Sequence, residues 1–196
     1  MNDATTRFER AIAAIDALHE QDPERIGDAG AERVRALRLT EWLHRLVDEP
    51  SEPLQLAVRA QHLCRWETPR SAYPPGRAGY KRWRRAAMAH HAERVASVLR
   101  DVGYDAATIS RVQALVQKKR VKQDPEAQAL EDAVCLVFLE HELAAFRRQL
   151  ADDARLVDIL RKTWAKMSER ARAAALQLPL PDDLAHLVHT ALDDGA

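Results

Sequence analysis

The chain has 196 residues, 46% hydrophobic, 31% charged and 5% aromatic, with 30 basic residues balanced by 30 acidic ones. That composition excludes a disordered chain and supplies enough apolar side chains for a substantial core. A net charge of zero excludes wholesale wrapping of nucleic acid, although it leaves room for a local basic patch.

Apolar residues repeat at helical spacing along the whole chain, and no alternating strand pattern occurs. Phe8, Ile12, Ile15 and Leu18 form the first stripe, expected to start from a cap at Asp3 or Thr5. A polar connector, Gln21 to Gly30, leads to a second helix carrying Val34, Leu37, Trp42, Leu43 and Leu46. Ser51 and Pro53 have the positions of a cap and first turn, opening a third helix through Leu54, Ala57, Val58 and His62. Three prolines and two glycines between Thr68 and Gly79 predict an irregular loop, followed by a long helix from Tyr80 to a left-handed stop at Gly103. Asp105 caps a helix through Ile109, Val112, Leu115 and Val116 that ends in Lys118, Lys119, Arg120 and Lys122, where cations suit a helix C-terminus. Asp124-Pro125 starts the most apolar helix, Leu130 to Phe146, which is expected at the centre of the fold. An amphipathic helix with Leu156, Ile159, Leu160 and Trp164 follows, then short helices from Ser168 and Pro181. The expectation is an all-α protein, one bundle of eight or nine helices over residues 1–196.

The two cysteines, Cys64 and Cys135, make no CxxC pair and lie in apolar patterns, as buried thiols of a reducing compartment do. The opening MNDATTRFER has no basic start or apolar stretch, so no secretion leader is expected, and the apolar run Ala133 to Leu139 is too short to span a bilayer. The expected address is cytoplasmic, without a membrane partner.

The densest chemistry lies between Arg59 and Arg85, where eight basic residues face one acid, Glu67, among Trp66, Tyr73, Tyr80 and Trp83. Guanidinium forks beside aromatic planes suit phosphates and bases. Arg65, Arg70, Arg77, Lys81 and Arg84 are therefore the expected phosphate contacts of a small phosphorylated molecule, a nucleotide or RNA. The same charges also suit a solvated face, or one that docks an acidic partner. His62, His91 and Asp132 each fall on an apolar helical stripe. A buried carboxylate needs a partner or a metal, and two imidazoles with one carboxylate are ligand types for Zn, Mn or Fe. Histidines that only satisfy hydrogen bonds in a core are the plain alternative.

The order of these residues resembles the HD-domain superfamily of metal-dependent phosphohydrolases. LQLAVRAQHLCRW is similar to the helix that ends in the family's His-Asp pair, with His62 at the histidine. HHAERVASVLRDVGYDAATISRVQALVQKK is similar to its next module, with His91 as ligand, and LEDAVCLVFLEHEL to the helix of the distal aspartate, with Asp132. Leu63 stands where the family has its water-activating Asp, so Glu131 or Glu93 would have to serve as base. The resemblance implies an HD-like core over residues 42–146, a C-terminal helical extension over 147–196, and a divalent ion. Hydrolysis of a small phosphorylated or nucleotide substrate would follow. The rival is a non-catalytic RNA- or nucleotide-binding module on a degenerate scaffold of that kind.

A broader resemblance runs through RW-x2-PR-x2-YP-x-GR-x-GY (Arg65 to Tyr80), KK-x-x-K-x-DPE-x-Q-x-LED (Lys118 to Asp132) and KTW-x-KMS (Lys162 to Ser168). These are similar to an uncharacterised helical family, mostly bacterial and fungal, with some members labelled glutamyl-tRNA synthetase-like. It implies no activity. Lys166-Met167-Ser168 is similar to a synthetase loop, but no glycine-rich nucleotide turn or parallel-sheet pattern accompanies it, and Ser168 reads as a helix cap.

Overall fold

The computed structural model describes residues 6–150 and 152–193. Among them ten α-helices carry the fold, and the only strands form one two-residue hairpin, so the protein is all-α. By its internal contacts the chain divides into two compact units, the first ending at Leu130 and the second starting at Glu131.

In the first unit, α1 (Arg7–His19) begins with a reciprocal capping box: Thr6 Oγ1 accepts from Glu9 N at 3.2 Å and the Glu9 carboxylate accepts from Thr6 N at 2.7 Å. The expected caps Asp3 and Thr5 lie outside the described residues. The polar connector closes as a hairpin of β1 (Arg25–Ile26) and β2 (Ala29–Gly30). It leads into α2 (Ala31–Leu46), α3 (Glu52–Arg59), α4 (Gly76–Val102) and α5 (Ala106–Val116). Helix α1 packs on α3 and α4, α3 packs on α2 and α5, and α4 on α5. Their shared core holds Ile15, Leu43, Leu54, Leu56, Leu99 and Leu115, all fully buried and each contributing about 2 kcal/mol by leaving water. The helix ends at Ser51, Asp105 and Gly103 follow the sequence: Ser51 Oγ and the Asp105 carboxylate accept from Leu54 N and Thr108 N, and Gly103 has φ +89°.

Two boundaries differ from expectation, and both shape the site. Helix α3 stops at Arg59, so His62 lies beyond it, in a tight turn where His62 (φ +64°) and Cys64 (φ +55°) take the left-handed conformation. Helix α4 starts at Gly76 rather than Tyr80. The preceding segment holds 3-10 turns at Arg65–Glu67 and Arg70–Ala72 and then folds onto the first turn of α4. A Cβ at Gly79 would sit 1.8 Å from the Pro74 carbonyl oxygen, so only glycine admits that approach.

The second unit holds most of α6 (Pro125–Val137), a π-helical turn at Phe138–Glu142, α7 (Leu143–Leu150), α8 (Asp153–Trp164), α9 (Glu169–Ala175) and α10 (Asp182–Asp193). Helix α8 packs on α7 and α10 through buried Leu156, Leu160, Leu184 and Leu187. The helix expected to run unbroken to Phe146 contains the π-helical turn, over which the rings of Phe138 and Phe146 meet edge to face at 5.6 Å. No helix among the described residues is long and apolar enough to cross a membrane.

Candidate functional site

The site begins with the turn that follows α3. Two imidazoles hold its backbone from opposite ends. His19, fully buried, donates from Nε2 to the Arg59 carbonyl at 2.9 Å, and His91 donates from Nδ1 to the Leu63 carbonyl at 2.8 Å. Because a carbonyl only accepts, these contacts fix which nitrogen carries the proton on each ring. Burial pushes both imidazoles down to about 4, against the opposing pull of those carbonyls. Arg59 is clamped in turn by Asp16 at 2.6 and 2.8 Å and touches Thr40 Oγ1 at 3.2 Å. This bracing holds two left-handed non-glycine residues in place.

His62 meets His91 edge to face, with ring centroids 5.8 Å apart. Its side chain is 29% exposed. Lost hydration nevertheless holds it well below the usual histidine range, and the cations of Arg65 and Lys118 push it the same way. Lost hydration thus favours the neutral form of both rings.

Next to this pair opens a cleft of about 460 Å³, lined by Arg35, Arg65, Arg70, Trp66 and Trp83, with Asp22, Glu24 and Glu32 on its acidic side. Trp83 donates from Nε1 to the Thr68 carbonyl at 2.8 Å, which fixes its plane. The Arg65 guanidinium lies 5.7 Å from the Trp83 ring centre and 3.8 Å from Glu32 Oε1, with 42% of its side chain exposed. Arg70 donates to the carbonyls of Tyr73 and Pro74 at 2.8 and 3.0 Å, so two of its five donors brace the loop. Asp22 accepts from Glu24 N at 3.0 Å and Glu32 N at 2.9 Å, anchoring the start of α2.

Glu32 is the unusual group. Its side chain is 3% exposed; Oε1 accepts from Arg35 at 2.9 Å, while buried Oε2 has no hydrogen-bond partner and lies 3.7 Å from His62 Nδ1. Burial pushes its carboxyl up to about 7, opposed by Arg35 and Arg65. Glu32 was not among the residues singled out from the sequence. Yet Glu32 stands four before Ala36, seven before Leu39 and eleven before Leu43, on the buried stripe.

The expected site residues are thus only partly brought together. His62 and His91 are neighbours, and Arg65 and Arg70 line the same cleft. Arg77, Lys81 and Arg84 lie exposed on α4 and do not appear among the residues lining it. Glu93 is exposed and pairs with Arg100 at 2.7 Å. In the second unit Glu131 is buried with Lys166 at 3.8 Å. Asp132, expected as a metal ligand, instead accepts from Ser168 N at 2.9 Å and Ser168 Oγ at 2.6 Å, while Ser168 Oγ caps α9 through Ala171 N. Among the described residues no group of three or more His, Cys, Asp or Glu side chains is placed to hold a metal ion. Two neutral imidazoles alone do not fit the donor set of a resident Zn, Mn or Fe. Cys64 is buried with its thiol pushed up by lost hydration, as expected of an inert core thiol.

Fold and cleft define an all-α protein whose first unit sets arginines and tryptophans against one underpartnered acid. The chain belongs to the family described as a domain of unknown function (DUF4202), whose model matches residues 9–188. No curated protein and no solved structure matches it.

Proposed function

We propose that the first unit is a nucleotide-binding module, on a scaffold we read as a degenerate relative of the HD domain, with the arginine- and tryptophan-lined cleft as its site. The observation that carries this reading is the placing of Arg65, Trp66, Arg70 and Trp83 around one cleft. A volume of about 460 Å³ is in the range of small-molecule sites. The indoles offer flat apolar faces for a base, and Arg65 offers a planar fork for phosphate. Trp83 is already held by Thr68, so a stacked base loses little entropy to ordering it. The hydrolytic alternative needs a metal centre, and within the first unit the cleft is better supplied with groups for a base and a phosphate than with metal ligands; no bond-breaking step is assigned.

Calorimetric titration of the purified protein with nucleoside monophosphates tests the proposal. Binding is expected to survive EDTA, and Arg65→Ala should weaken it by about tenfold or more through loss of a charge-assisted contact. Failure of every mononucleotide to bind would overturn the reading, and binding abolished by EDTA would return it to metal chemistry. If a longer RNA binds far more tightly, with a steep loss in salt, the exposed row of Arg77, Lys81 and Arg84 is the functional surface instead.

A further inference from the structure

We infer that Glu32 reads the base, and that the base is guanine. The inference rests on the nucleotide reading above and concerns the edge of the ligand rather than its plane or phosphate. Glu32 Oε2 is a buried acceptor without a hydrogen-bond partner, on a side chain that lines the cleft beside Trp66 and Trp83. An acceptor left in that state carries the cost of lost hydration until something donates to it. The neighbours do not: Arg35 is bonded to Oε1, Arg65 Nη1 stops 3.8 Å from Oε1, and His62 Nδ1 is 3.7 Å from Oε2. Asp22, the other buried acid of the cleft, is spent on two backbone N–H groups. Glu32 is therefore the acid of the cleft with an unmade bond, and a base reaches Oε2, which the fold covers, by displacing what lies over it.

The bases differ in what they offer such an edge. Guanine presents N1–H and the C2 amine side by side, and a carboxylate accepts both, Oε1 keeping a second lone pair beside its bond from Arg35. Adenine and cytosine put a ring acceptor next to their amine, against which a carboxylate oxygen is repelled. Uracil has one N–H between two carbonyls. A site built to receive donors rejects the analogue that lacks one, because its own polar atom is then left unpaired.

The sharpest probe pair is GMP and IMP, which differ only by the C2 amine, with AMP as a third ligand, all titrated at pH 8 into the full chain. GMP is expected to bind about tenfold or more tightly than IMP or AMP. Glu32→Gln, which puts a donor where an acceptor stood, should bring GMP within a few-fold of IMP and tighten AMP, whose ring acceptor then meets that donor. Equal affinity for GMP and IMP in the unsubstituted protein would overturn the inference and leave the nucleotide cleft standing. A GMP preference that survives Glu32→Gln would also overturn it, and binding of none of the three would take down the cleft reading as well. The GMP and IMP comparison needs no variant, so it holds even if Glu32→Gln fails to fold.

Discussion

Asp132 and Glu32 are both carboxylates buried to within a few per cent, yet they sit in opposite states. Asp132 has each oxygen filled by Ser168, one from the backbone N–H and one from the hydroxyl, and so ties α6 to the start of α9. Glu32 has one oxygen filled and one empty, and its carboxyl is pushed up towards neutrality. Burial is nearly the same; the partners differ. A filled acid holds a fold together, and an unfilled one in a cleft is held by the fold for something else.

Removing the filled acid should have the largest effect. Asp132→Ala strands two donors of Ser168 and is expected to lower unfolding stability in urea by about 2–4 kcal/mol, with Asp132→Asn recovering part of it. A change within experimental error would mean that the contact contributes nothing and that the contrast with Glu32 is empty. Next in size is the acid response of the two histidines that brace the turn. Their folded values of about 4 lie below the ordinary 6.5, so the folded protein binds fewer protons than the unfolded chain between those limits. Their contribution is present above pH 6.5 and lost as pH falls through 4, amounting to roughly 3 kcal/mol per ring at most. His19→Gln should flatten that part of the stability-against-pH curve; an unaltered slope would show that the ring titrates elsewhere. Glu32 responds with the opposite sign. Its folded value of about 7 lies above 4.5, so its contribution is present below pH 4.5 and lost as pH rises through 7. Glu32→Gln should therefore gain up to roughly 3 kcal/mol at pH 8 and nothing at pH 4, measured by denaturant midpoints. A loss at pH 8 would show the carboxylate to be a structural member like Asp132.

Helices were legible because their signals are local: apolar spacing, and caps such as Ser51, Asp105 and Ser168, each of which accepts from the backbone as expected. Arg65 and Arg70, singled out from the sequence as phosphate contacts because cations and tryptophans crowd one short segment, line the cleft. The misreadings share a cause. His62 was placed by extending the period of α3, but the chain leaves the helix at Arg59 and turns through left-handed residues held from outside by His19 and His91. Those contacts span 40 and 28 residues, beyond any local pattern. Asp132 was rightly placed facing inward, but its partner lies 36 residues on, and facing inward does not say towards what. Read with its structure, the stretch from Lys162 to Ser168 also loses its likeness to a synthetase loop: Lys166 pairs with Glu131, Met167 is buried and Ser168 starts a helix.

The bond from the Trp83 indole to the Thr68 carbonyl has a kinetic consequence. A stacking plate whose tilt is set by its own chain needs no rearrangement when a visitor arrives, so association should proceed at the pace of encounter and residence time should carry the differences between ligands. Stopped-flow emission from that indole would then rise or fall in one exponential whose rate climbs linearly with ligand concentration.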